Sequence, residues 1–138
     1  MLNLSCLCGN VSLVLARRPD HVHECNCRLC ARSGAWWSTF HPDEVTVSGE
    51  TASYVRADKA EPNAELHFCP RCGSTTHFVL TPSAVARHGN TLMGANMHLA
   101  DEGELAGIEL RFPDGRNWEG AGAFGYVRPP RVFGAEPA

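Results

Sequence analysis

A mainly β fold is what this 138-residue chain predicts, and three observations carry the expectation. Apolar residues recur at every second position in short runs, the period of a half-buried strand. The runs are rich in Val, Leu, Trp, Phe and Thr and are bounded by Gly, Pro, Asn and Asp, the residues that turn a chain. Helical periodicity is scarce, and the chain carries neither an internal repeat nor a low-complexity tract.

Each element follows from a local stretch. Val11 to Leu15, opened by Gly9-Asn10, puts Val11, Leu13 and Leu15 on one face and ends at Arg17-Arg18-Pro19-Asp20. His21 to Cys25 should form a second strand. Trp36 to Phe40 is aromatic and β-branched and stops at His41-Pro42-Asp43; Val45 to Val47 and Ala52 to Val55 follow around Ser48-Gly49, and a meander is expected. Glu65 to Phe68 and Thr75 to Leu80 flank Cys69-Pro70-Arg71-Cys72, as two strands would flank a metal-held turn. Thr91 to Met97 and Ile108 to Phe112 read as further strands, Pro113-Asp114-Gly115 as a turn and Trp118 as a core residue. Helix is expected only around Arg28 to Arg32 and from Pro82 to His88, where Pro suits a first helical position. The tail from Arg128 has no periodicity and should be a flexible or edge-packing extension.

Composition narrows the class. The length suits one domain, and no apolar run approaches the ~20 residues that span a bilayer, so no membrane association is expected. Met1 to Cys6 shows no basic stretch followed by an apolar one, so a secretory leader is not expected and a cytoplasmic location is. Twelve basic residues face fifteen acidic ones, for a net charge of -3, and the basic residues, all Arg but Lys59, are scattered among acids. No nucleic-acid partner is expected, because phosphate binding needs several cations on one face. Arg28, Arg32 and Arg71 stand apart, inside or beside cysteine clusters, where a guanidinium can balance thiolate charge or grip a carboxylate.

Seven cysteines fall into three groups: Cys6 and Cys8; Cys25, Cys27 and Cys30; Cys69 and Cys72. An odd number of closely spaced thiols in a reducing setting favours metal ligation over disulfides. Cys6, Cys8, Cys69 and Cys72 supply the four thiolates of a closed structural zinc site, with Gly9 and Gly73 suited to turns that aim amides at sulfur. A redox-active Cys69-x-x-Cys72 is the competing reading, and it leaves Cys6 and Cys8 without a purpose. Cys25, Cys27 and Cys30 fill only three corners of a tetrahedron, so the fourth stays open for water or substrate unless a side chain arrives. His21 and His23 are the nearest rivals for that corner, with His67, His77 and His98 behind them; a second closed site or free thiols are the plainer alternatives. An open three-thiolate zinc suits delivery of an exogenous thiol to a small aldehyde better than hydrolysis, because three thiolates leave zinc a weak Lewis acid.

Cys6-x-Cys8-Gly9, then Cys25-x-Cys27-x-x-Cys30-Ala31-Arg32-Ser33-Gly34-Ala35, then Phe68-Cys69-Pro70-Arg71-Cys72-Gly73-Ser74 resemble the glutathione-dependent formaldehyde-activating enzyme family, which also includes centromere protein V. The resemblance runs over roughly residues 4 to 118 and takes in Gly94 to Asp101. It implies a β-tent, a complex antiparallel β structure with a zinc-ribbon-like core. Residues 1–125 would form the single zinc-binding domain and residues 126–138 a C-terminal extension. Carried over, Cys6, Cys8, Cys69 and Cys72 would hold the structural zinc and Cys25, Cys27 and Cys30 the catalytic zinc, the second site being the more labile. The implied activity joins glutathione, or a similar thiol, to formaldehyde or another small aldehyde, giving S-hydroxymethylglutathione, as a carbon-sulfur lyase does. Arg32 and Ser33 are nominated as substrate contacts beside the triplet. The alternative is a noncatalytic zinc module that binds a thiol ligand or a protein partner; a homodimer is compatible with either reading.

Overall fold

A computed structural model of the chain describes residues 1–120 and 122–135. Positions 136–138, the end of the expected extension, lie outside the described residues. The architecture is mainly β, with strands in two sheets around a shared core.

The smaller sheet is antiparallel. Strand β1 (Leu2–Ser5) pairs with β2 (Ser12–Leu15), Leu4 opposite Leu13, and β2 pairs with a later strand, Val45–Ser48, Leu15 opposite Val45. Leu2, Leu4, Val11, Leu13 and Leu15 all point inward and are at most 5% exposed, the face their alternation predicts. The larger sheet receives β3 (Val22–His23), β4 (Trp37–Phe40), β6 (Ala52–Val55), β7 (Ala64–Phe68), β8 (Thr75–Leu80), β9 (Met93–Asn96), β10 (Glu109–Arg111) and β11 (Arg131–Val132); β5 is the Val45–Ser48 strand of the small sheet. Its order is β11-β10-β3-β4-β9-β8-β7-β6, antiparallel throughout except for the β10–β3 pair.

The main core lies between the sheets, where the small sheet's leucines meet Val22, Phe40, Met97, Leu110, Phe112 and Phe133. Trp36 and Trp37 are neighbours in sequence, and the pleat sends them to opposite sides. Trp36 packs against the main core, while Trp37 joins Ala35, Leu66, Leu29 and Phe78 in a second, smaller cluster. That second cluster also takes in Cys30 and underlies helix α1 (Arg28–Ser33), so the three-cysteine segment rests on its own apolar footing.

Several expectations need correction. β4, β5 and β6 do not form a meander: β5 leaves for the small sheet, while β6 is the far edge of the large one. The alternating pattern sets which face a strand buries but does not choose its partner, and a 3₁₀ turn at Pro42–Glu44 redirects the chain between β4 and β5. The expected His21 to Cys25 strand shrinks to Val22–His23, and Thr91 to Met97 shrinks to Met93–Asn96. Trp118 is only half-buried; its ring packs on Phe124 at 4.6 Å and its indole N–H donates to the Gly122 carbonyl at 3.1 Å. Both helices lie where they were expected, α1 as given and α2 at Pro82–His88 with Thr81 as its N-cap. Beyond residue 125, β11 adds to the sheet edge and Phe133, 1% exposed, enters the main core.

Candidate metal centres

The first centre forms where the two sheets meet. Cys6 and Cys8 follow β1 of the small sheet, while Cys69 and Cys72 sit in the turn between β7 and β8 of the large one. Their four sulfurs lie within 4.8 Å of one another, with Cys6–Cys8 and Cys8–Cys69 both at 3.7 Å. A tetrahedral zinc with Zn–S bonds of about 2.3 Å requires sulfur–sulfur edges of about 3.8 Å, so the donor set fits that ion. Gly9 and Gly73 have φ of 82° and 77°, and the turns they permit aim amides inward: the Val11 N–H donates to the Cys6 sulfur at 3.2 Å. The Ser74 hydroxyl, 3.2 Å from the Cys72 sulfur, together with its own amide, holds that thiol down at about 5. Such donors stabilise a thiolate more than a neutral thiol, whose sulfur accepts only weakly.

The second centre lies between β3 and α1. The Cys25, Cys27 and Cys30 sulfurs converge within 4.8 Å and are all half-buried. Cys27 is the N-cap of α1, its sulfur accepting from the Cys30 amide at 3.3 Å, and the Cys27 amide approaches the Cys25 sulfur at 3.5 Å. Gly34 closes the helix in the left-handed region at φ 67°. Crowded sulfurs divide the charge unequally: the Cys25 and Cys30 thiols together pull Cys27 down to about 2, while Cys25 and then Cys27 push Cys30 up. Without a cation the trio favours one thiolate, at Cys27, with Cys25 and Cys30 held as thiols because three negative sulfurs so close repel; a bound cation relieves that repulsion. Three soft donors suit zinc, which would take all three and retain one further position.

The fourth corner is not supplied by the suspected histidines. Among the described residues no His, Asp or Glu joins either sulfur group. His98 stacks on Trp36 at 3.7 Å, His67 on His77 at 4.4 Å, and His21 lies 4.6 Å from His23. Burial pushes both His23 and His77 down to about 4.

Two residues that sequence reasoning passed over shape this centre. Gly115 packs so closely that a Cβ there would stand 2.2 Å from the Cys25 sulfur. Its loop is latched by Asn26, whose side-chain amide donates to Asp114 at 2.9 Å while its oxygen accepts from the Arg116 amide at 2.9 Å. Arg56, just past β6, is bidentate to Asp58 at 2.7 and 2.8 Å and lines a cavity with Cys25 and Cys27. Pro113-Asp114-Gly115 carried a turn signal but no hint of the contact, and Arg56 carried no motif at all. Of the nominated residues, Arg32 is exposed and donates to the Arg28 carbonyl at 3.1 Å, while the Ser33 hydroxyl donates to the Cys30 carbonyl at 3.2 Å. Arg71 is exposed in the turn of the first centre.

Two cavities reach the triplet. One, of about 360 Å³, is lined by Glu24, Cys25, Cys30, Trp36, His98 and Arg128. The other, of about 330 Å³, is lined by Cys25, Cys27, Arg56, Lys59, Glu61 and Trp118. Both lie at the lower end of the size range of small-molecule sites.

The sequence profile of the glutathione-dependent formaldehyde-activating enzyme family matches residues 1–104. The chain belongs to this family. Among solved structures, a crystal structure of a Rhodobacter sphaeroides protein from a structural-genomics programme is similar, with a TM-score of 0.56 at 24% identity, over 72% of this chain and 88% of the other. That likeness speaks to the fold alone. No curated protein matches the chain. For this formaldehyde-activating family member, the matched segment contains all seven cysteines. Gly115, Trp118 and Arg128, on the cavity walls, come from beyond it. No helix among the described residues is long and apolar enough to cross a membrane.

Proposed function

We propose that the chain is a zinc-dependent carbon-sulfur lyase or synthase that joins glutathione, or a similar thiol, to formaldehyde or another small aldehyde, giving S-hydroxymethylglutathione. The observation that carries this reading is the convergence of Cys25, Cys27 and Cys30 without a fourth ligating side chain among the described residues, beside cavities of substrate size. Family membership supports the glutathione and formaldehyde chemistry. Cys6, Cys8, Cys69 and Cys72 would hold a structural zinc, and the triplet a catalytic one. Zinc in the triplet would keep a visiting thiol in its nucleophilic thiolate form and polarise a carbonyl oxygen.

The chain's own groups do the rest. The latched loop at 114–117 packs on Cys25 and covers one side of the triplet. The thiol sulfur bonds to the aldehyde carbon, the carbonyl π pair moves to oxygen, and that oxygen takes up the proton the thiol released. Arg32, on the groove it shares with Arg28, Tyr54 and Arg56, is proposed as an outer contact for a glutathione carboxylate, and Ser33 as support for the helix that carries it. A cytoplasmic location agrees with seven unpaired thiols.

The test is glutathione-dependent formaldehyde consumption in two variants. Cys27→Ser should lower the rate by orders of magnitude while the protein stays folded, and Cys69→Ser should mainly unfold it. Formaldehyde consumption by Cys27→Ser at the parental rate would refute the catalytic reading.

A further inference from the structure

We propose that Arg56 is a positioning residue of the three-cysteine centre: Asp58 fixes its guanidinium on the wall of the cavity that Cys25 and Cys27 also line, where it offsets the negative charge that an incoming thiolate brings. This rests on the reading of the triplet as a thiol-binding centre.

The geometry is specific. The Arg56 side chain is only 14% exposed although it directly follows an edge strand, and a guanidinium so covered needs fixed partners. Asp58 provides them in fork geometry, Nε at 2.7 Å and Nη2 at 2.8 Å, which removes most of the rotamer freedom a free Arg would lose on binding. The same side chain lines a cavity with Cys25, Cys27 and Trp118. Arg28 and Arg32, the closer candidates in sequence, are exposed on the outer side of α1. The other charges facing this cavity are Lys59, Glu61 and Glu119, and Arg28 lies near Asp58.

Charge counting gives the direction. Three thiolates around a dication carry -1, and a fourth thiolate makes it -2. A fixed cation beside the sulfurs therefore favours the four-sulfur state over the three-sulfur state. It should matter far more for thiol affinity than for retention of the metal. For a unit charge on the wall of the same open, solvent-screened cavity, the expected change is about tenfold in affinity.

The experiment uses the full chain loaded with cobalt, whose sulfur-to-metal absorption reports the ligands. Parent, Arg56→Gln and Arg56→Lys are titrated with reduced glutathione and, separately, with 2-mercaptoethanol, which has no carboxylate. Arg56→Gln should weaken both thiols by about tenfold, keep two cobalt per chain, and raise KM for glutathione with little change in kcat. Arg56→Lys should restore most of the affinity. Unchanged affinity in Arg56→Gln overturns the proposal, as does weakening of glutathione alone, which would make Arg56 a carboxylate contact. Outright loss of the triplet's cobalt in Arg56→Gln, or an Arg56→Lys as weak as Arg56→Gln, also contradicts it. If the parent responds to neither thiol, the thiol-binding reading falls and the proposal with it; if parent and Arg56→Gln respond alike, only the proposal falls.

Discussion

Gly115→Ala isolates the second centre from the first. The added Cβ would stand 2.2 Å from the Cys25 sulfur and 3.3 Å from the Cys27 Cβ. Carbon and sulfur pack no closer than about 3.5 Å, so Cys25 or the loop must retreat by more than about 1 Å. A metal–ligand bond tolerates about 0.2 Å, so a displaced Cys25 no longer ligates and a three-donor site becomes a two-donor one. The loop has little freedom to yield instead, because Asn26 ties it to the cysteine segment from both sides. The overpacking itself should cost about 1–3 kcal/mol of stability, a fall of several degrees in Tm for a chain of this size. Elemental analysis after dialysis should show about two zinc per chain in the parent and about one in Gly115→Ala, with glutathione-dependent activity lost and far-UV circular dichroism preserved. Two tightly held zinc ions and parental activity in Gly115→Ala would refute the placement of this loop on Cys25.

Two further outcomes follow from the same geometry. Stepwise chelation should remove one zinc without loss of secondary structure, and the second only with unfolding, because four sulfurs staple the two sheets while three ride on one segment; simultaneous loss in a single step would contradict this division, as read by chelator titration followed by circular dichroism. His77 is 4% exposed and held at about 4 by burial, against about 6.5 when unfolded, so the unfolded chain takes up the proton first as pH falls. Stability should therefore fall from pH 6.5 towards 4, by up to about 2 kcal/mol at pH 5, and His77→Gln should show a shallower decline in denaturant titrations run at several pH values.

The parts that were legible in the sequence are those set by local rules. The alternation of Val11, Leu13 and Leu15 specified a buried face, and Cys69 and Cys72 between two β-rich runs specified a turn between paired strands that brings their sulfurs towards Cys6 and Cys8. The convergence of the cysteines into a group of four and a group of three was likewise readable, because close pairs constrain which sulfurs can meet. Partner choice was not: Val45–Ser48 has the same period whichever sheet it joins, and only the packed structure sends it to β2. Trp118 was misplaced because a large aromatic is ordinarily core, whereas here its indole edges a cavity. Arg56 and Gly115 were invisible for a different reason. Arg56 reaches the cavity of Cys27, and Gly115 packs on Cys25, across segments far apart in sequence, and a lone Arg or a turn glycine carries no periodic or spacing signal of its own.

The central claim is that the three-cysteine centre keeps one position for a substrate sulfur. X-ray absorption at the zinc edge, on protein whose first centre alone is loaded and on fully loaded protein with and without glutathione, tests it directly. The account predicts that the second zinc gains a fourth sulfur at about 2.3 Å when glutathione is added. A nitrogen or oxygen ligand from the protein, present before glutathione and unmoved by it, would contradict the account.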